Sequence, residues 1–251
     1  MTQPRVYVAL VRHGHYVQPA EVPSAHLPHP LTEKGRAQAD ACAITLRELA
    51  AELGARIAPV LLSSTLRRAE ETAQRILARW GELGAQRPEL VTSSALAERS
   101  LGAAANLTQA SIATVVREAW SERQGMNPRE HLGQGYELPP SWKGLASHRL
   151  PAPFVGAESL LEAGARCATE IESWAARLAV GAESSSLLVV VSHGGALRHA
   201  AAALGVLGVG ELPRLSMWHA RPVVVERRLT PPWLHVRGEW KNRDAAHDSD
   251  L

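Results

Sequence analysis

Val6-Tyr7-Val8-Ala9-Leu10-Val11 runs without a charged break into Arg12-His13-Gly14. A continuous apolar run of this length reads as a strand buried on both faces, and the glycine lets the backbone turn at its end. A second run, Leu187-Leu188-Val189-Val190-Val191-Ser192, ends in His193-Gly194-Gly195. In open α/β sheets ligands bind at the carboxyl ends of strands. Two histidines at such ends, one with an arginine beside it, point to a pocket for an anion and a nucleophile that attacks it.

Residues 14–30 are polar, with several prolines and histidines, and read as a loop. Thr32 is placed as an N-cap, and Ala39, Cys42, Ala43, Leu46, Leu49, Ala50 and Leu53 follow helical spacing up to Gly54. Ala58 to Ser63 reads as a strand, Leu66 to Trp80 as a helix and Glu89 to Thr92 as a weak strand. Thr108 to Trp120 has a helical pattern. Gln124 to Pro153 is rich in Gly, Pro, His and Trp, and a loop that long is usually functional or mobile. Helices are expected over Glu158 to Leu178 and from Ala196 to Leu204, with closing strands at Val223 to Glu226 and Trp233 to Val236. The tail from Asp244 is expected to fray. The alternation of strands and helices indicates a layered α/β fold.

A chain of 251 residues suits one large α/β domain or two small ones. A formal charge of +2 gives no argument for nucleic acid or a membrane surface as partner. The two cysteines, Cys42 and Cys167, lie in helix-like stretches and are expected to be buried, reduced thiols. No segment is long enough to span a bilayer, and the N-terminal apolar run is shorter than a signal-peptide core, so the expected compartment is the cytoplasm.

A neutral imidazole attacks phosphorus when one ring nitrogen faces the substrate and an acceptor holds the other. Arg12 offers a planar fork that suits phosphate oxygens, and Gly14 lets the backbone approach an anion. Read alone, the tripeptide is also an ordinary surface loop. Ser63-Ser64-Thr65-Leu66-Arg67-Arg68 follows the second strand, which puts Arg68 in the first turn of a helix, where backbone amides also favour anions. Leu96-Ala97-Glu98-Arg99-Ser100-Leu101-Gly102 follows the third strand, and Glu98 beside a cationic phosphate site is able to protonate a leaving alkoxide. His193 is placed to donate to a phosphoryl group, or to sit as a satisfied core histidine.

Five blocks in order resemble the histidine phosphatase superfamily, also called phosphoglycerate mutase-like. They are Arg12-His13-Gly14, Leu31 to Ala39, Ser63 to Ala73, Leu96 to Gly102, and Ser192 to Gly195, with Gly156-Ala157-Glu158-Ser159 as a lesser sixth. The resemblance implies a three-layer α/β/α sandwich with a mostly parallel sheet, as a single domain over 1–251 with an inserted cap at 103–155. It implies His13 as the nucleophile that becomes phosphohistidine, with Arg12, Arg68 and His193 binding the phosphoryl group. Glu98 would be the acid and then the base. Gly14, Gln18 and Gly194 complete the expected substrate-binding set. No metal or other cofactor is implied, and the expected partner is a small phosphorylated substrate.

The chain departs from the family after Gly14. Tyr16 stands where glycolytic mutases carry a small hydroxyl residue, and Pro19 where many members have Asn, with Gln18 one position off as a substitute. Arg117, Arg123, Arg129 and Arg149 are dispersed, whereas the mutases carry tandem arginines for a second acidic group. Hydrolysis is therefore favoured over a mutase-type phosphotransfer, with a non-catalytic phosphate-ester-binding protein as a third reading. In the cap, Trp120, Tyr136, Trp142, Lys143, His148 and Arg149 are the candidate substrate contacts, although the tryptophans would serve equally to pack the cap.

Overall fold

The computed structural model describes residues 3–18, 22, 26–85, 87–105, 107, 108, 110, 111 and 155–243. Within them lie strands β1 (Val6–Arg12), β2 (Arg56–Ser64), β3 (Glu89–Ser93), β4 (Ser186–Ser192), β5 (Leu215–Ser216), β6 (Val223–Glu226), β7 (Leu234–Arg237) and β8 (Lys241–Asn242). The long helices are α1 (Glu33–Glu52), α2 (Arg67–Glu82), α3 (Leu160–Ala179) and α4 (Gly194–Ala203). The helix expected over Thr108 to Trp120, the loop after it, the six candidate contacts of the cap, Pro19 and the tail from Asp244 fall largely or wholly outside the described residues.

Six strands form one sheet in the order β3-β2-β4-β1-β6-β7. The first four are parallel, and β6 joins β1 antiparallel. Both strong apolar runs therefore occupy the centre, where both faces need covering. Alternate residues of β1 divide between the two faces. Val6, Val8 and Leu10 pack with Cys167, Ile171, Ala196 and Leu197 of α3 and α4. Tyr7, Ala9 and Val11 pack with Cys42, Leu46, Ile76 and Trp80 of α1 and α2. The result is a three-layer α/β/α arrangement. It also places the two free, buried cysteines in cores on opposite faces of the sheet. Trp80 is 1% exposed, and its indole N–H donates to Ala43 O at 2.7 Å, so the polar atom it buries is paired.

Four of the boundaries that differ from the sequence expectation each have a local reason. α3 starts at Leu160 because Ser159 and Glu162 form a reciprocal capping box, leaving Glu158 outside the helix. α4 starts at Gly194, two residues early and through two glycines, because a carboxylate from another segment caps it, as described below. β2 begins at Arg56, where its N–H donates to Ser185 O at 2.9 Å. Trp233 stays out of β7, since its N–H donates to Leu204 O at 2.9 Å. The apolar stretch from Leu212 to Val225 contributes Leu212, Met217, Val223 and Val225 to the core.

Candidate active site

The register of the sheet builds the site. Arg12 pairs with Ser192, and the His13 N–H donates to Ser192 O at 2.9 Å. The two strand-end histidines thereby become neighbours, with ring centroids 5.1 Å apart. Ser64 ends β2 beside them and opens the way to Arg68 in the first turn of α2. β3 ends next to β2 and leads through a short turn to Glu98. Because β6 is antiparallel, the residues that precede it return to the same edge.

His13 is 3% exposed and Arg68 2%. The His13 Nδ1–H donates to Gly14 O at 2.8 Å, since a carbonyl only accepts. Nε2 therefore carries a lone pair in the neutral ring, and Arg68 Nε donates to it at 3.1 Å. Burial first, then the charge of Arg68, holds His13 well below the usual histidine range, and His193 is lowered in the same order of causes. Burial also lowers Arg12 and Arg68, while the Glu98 carboxylate supports the charge of both. Arg12 donates from Nη1 to Met217 O at 2.9 Å. The neutral, buried nucleophile candidate thus sits among two guanidinium groups that solvent compensates poorly, an arrangement that attracts a dianion.

His193 Nε2 lies 2.9 Å from the Ser64 hydroxyl, and its buried Nδ1 has no hydrogen-bond partner among the described residues. That nitrogen is available to an incoming oxygen. Glu98 accepts from Arg99 N at 2.9 Å and Ala196 N at 3.0 Å through Oε1, and from Gly195 N at 3.1 Å through Oε2. A carboxylate at a helix N-terminus satisfies otherwise orphaned amides and suits the helix dipole. The glycines make room for it. A Cβ on Gly195 would stand 2.7 Å from Glu98 Oε1, and one on Gly194 would stand 3.1 Å from Arg12 Cδ. The sixth block supports the Glu98 segment from outside. Glu158 accepts from Ser100 N at 3.0 Å, and Arg166 donates to Ala95 O at 2.8 Å and Ala97 O at 3.1 Å.

Six of the expected residues, Arg12, His13, Arg68, Glu98, His193 and Gly194, meet here, while two sit differently. The Gly14 N–H is taken by Thr72 Oγ1 at 3.0 Å, and a Cβ at Gly14 would stand 2.5 Å from Gly35 O. The need for glycine there comes from the start of α1 packing on the loop, backbone to backbone. Gln18 is exposed, with Oε1 accepting from the Tyr16 hydroxyl at 2.9 Å. Tyr16 itself stands edge-on to His13 at 5.0 Å and lies 4.8 Å from the Arg68 guanidinium carbon. Sequence reasoning passed over Thr72, Ser64, His26 and His219. His26 Nε2 lies 3.2 Å from Glu98 O, and the ring of His219 is 5.3 Å from that of His13. Among the described residues, no group of three or more His, Cys, Asp or Glu side chains has the geometry to hold a metal ion, and no helix is long and apolar enough to cross a membrane.

The buried histidines predict how stability responds to acid. His199, 1% exposed, is lowered by burial from 6.5 to about 4. Between those values the unfolded chain binds a proton that the folded chain refuses. The contribution is whole above the unfolded value and is lost as pH falls, by up to about 1.4 kcal/mol per pH unit for one histidine. His13 and His193 act with the same sign. Urea midpoints measured from pH 7.5 down to 4.5 are expected to fall steeply below about 6.5, and a flat profile would contradict the burial described here.

The model of the histidine phosphatase superfamily (branch 1) matches residues 8–235. A solved mycobacterial glucosyl-3-phosphoglycerate phosphatase is 24% identical with a TM-score of 0.62, over 97% of this chain and 99% of that one. A protein described as mycobacterial hydrolase 2 is 25% identical with a TM-score of 0.61, over 92% and 85%. The α-ribazole phosphatase of Shigella flexneri is 18% identical with a TM-score of 0.56, over 89% and 91%. No curated protein sequence matches the chain.

Proposed function

The chain belongs to the histidine phosphatase superfamily, and from that premise we propose that it is a phosphomonoesterase that hydrolyses a small phosphorylated metabolite through a phosphohistidine, without a metal. One observation carries the reading: the lone pair of His13 Nε2 is held toward Arg68 while Nδ1–H is fixed on Gly14 O. Arg12 and Arg68 supply the positive charge that a metal supplies in other phosphatases, and His193 Nδ1 donates to a phosphoryl oxygen.

In the first step Nε2 forms a bond to phosphorus as the ester P–O bond breaks, and the departing oxygen takes a proton from the Glu98 carboxyl. In the second, Glu98 takes a proton from water as its oxygen bonds to phosphorus. The P–N bond breaks, and the lone pair returns to Nε2. Glu98 Oε1 already accepts two amides and Oε2 one, so Oε2 is the oxygen with a place for the proton.

Tyr16 favours water as the acceptor, because an aromatic ring stands beside His13 where the glycolytic mutases carry a small hydroxyl residue. The phosphatases of glucosyl-3-phosphoglycerate and α-ribazole among the solved relatives support a small phosphorylated metabolite as substrate. The test is hydrolysis of p-nitrophenyl phosphate in EDTA with acid-free trapping of the intermediate. Undiminished turnover and an alkali-stable, acid-labile phosphoenzyme are expected. Activity lost to EDTA and restored by a divalent cation would overturn the reading.

A further inference from the structure

We propose that His219 is a positioning residue that holds His13 in its Nδ1–H tautomer by pinning the His13–Gly14 peptide. The inference rests on the reading of His13 as nucleophile. The acceptor for the His13 Nδ1–H is the carbonyl of the very next residue, at 2.8 Å. So local a bond survives at only one setting of the intervening backbone, and the His13 side chain cannot enforce that setting itself. Two outside groups do. Thr72 Oγ1, on α2, accepts from Gly14 N at 3.0 Å. His219 Nδ1 lies 2.7 Å from His13 O, and because a carbonyl only accepts, the imidazole is the donor. One peptide unit is thus fastened at both its N–H and its C=O.

The approach of His219 is itself built into the backbone. His219 bridges Arg12 at the end of β1, and the Ala220 N–H donates to Arg12 O at 2.8 Å. Ala220, 4% exposed, has φ +49°, a left-handed conformation that turns the chain from His219 into β6. A non-glycine residue persists there only where its surroundings over-determine it. The imidazole stands 5.3 Å from the ring of His13 and 5.9 Å from that of His15.

Without the donor at position 219, the peptide keeps only its Thr72 anchor, its carbonyl end can swing, and Gly14 O can leave Nδ1. The tautomer with its proton on Nε2 then becomes populated, and that nitrogen has no lone pair for phosphorus. Arg68 loses its bond to Nε2 in that tautomer but stays packed on Tyr16, and Arg12 keeps its bond to Met217 O, so the loss falls mainly on kcat and leaves KM nearly unchanged.

Two neutral amides separate position from bulk. His219→Asn carries its nitrogen at about the reach of Nδ1, and His219→Gln at about that of Nε2. With p-nitrophenyl phosphate, His219→Asn is expected within roughly threefold of wild-type kcat and His219→Gln about tenfold below it, with KM changed less than about twofold in both. Long-range proton–nitrogen NMR should show His13 as the Nδ1–H tautomer in wild type and His219→Asn, and as a mixture in His219→Gln. Equal kcat in the two variants, or an unchanged tautomer in His219→Gln, would overturn the proposal. A wild-type protein that hydrolyses no phosphate ester would overturn the phosphatase reading instead, and the tautomer of His13 would still decide the role of His219.

Discussion

His13→Ala is expected to reduce turnover of any phosphate ester by a factor on the order of 10⁴ to 10⁶, the scale at which loss of a nucleophile leaves only binding and electrostatics. Among the described residues, no neighbour is placed to replace it. His193 has one nitrogen 2.9 Å from the Ser64 hydroxyl, and its Nδ1, without a hydrogen-bond partner among the described residues, is the donor to the phosphoryl group in the proposed reaction. Cys42 and Cys167 are buried in the two cores, and burial pushes the first up out of the range of a useful thiolate and the second to about 12. Substrate binding should survive, because Arg12 is held by Met217 O and Arg68, although it loses its bond to the His13 ring, stays packed on Tyr16. The variant should therefore bind inorganic phosphate with an affinity within a few-fold of wild type, as charged contacts dominate such binding. Rapid-quench measurement of phosphoenzyme and titration with phosphate check the two halves. Retention of more than about one part in a hundred of the wild-type rate would mean that another group carries the phosphoryl transfer.

The parts of this site visible in the sequence are those written as local grammar. Val6 to Val11 and Leu187 to Ser192 are strands because no polar residue interrupts them until the end, and strand ends are where an α/β sheet puts its chemistry. Arg68 was placed by its own helix start. What the sequence withheld depends on register and direction. That Arg12 faces Ser192 follows from the pairing of distant strands, and only this pairing makes His13 and His193 neighbours. His219 sits in a Trp-His-Ala triplet with no motif around it, and it reaches His13 because β6 runs antiparallel to β1, which the apolar pattern of Val223 to Val225 does not reveal. Gly14 illustrates a right residue with a different reason. A strand-end glycine suggests room for a ligand, yet the group that comes close is the carbonyl of Gly35. The Gly194-Gly195 pair carries the same lesson, since its missing side chains admit Arg12 and Glu98, two residues far away in the chain.

Glu98→Gln separates acid catalysis from electrostatic support by its dependence on the leaving group. With an alkyl ester such as β-glycerophosphate the departing alkoxide is strongly basic, and withdrawal of the proton donor is expected to lower kcat by about 10² to 10⁴. With p-nitrophenyl phosphate the leaving phenolate is stable without a proton, and a loss of roughly tenfold or less is expected. The fold should hold, although glutamine cannot reproduce the cap. Its carbonyl oxygen can keep the amides of Arg99 and Ala196, but its amide nitrogen then faces the N–H of Gly195, donor against donor. The lost charge at the start of α4 costs about 0.3 to 1 kcal/mol, small beside the kinetic effect. A comparable fall for both esters would assign Glu98 a purely structural or electrostatic part at the helix terminus, because only a proton in flight to the leaving oxygen makes the penalty depend on what that oxygen belongs to.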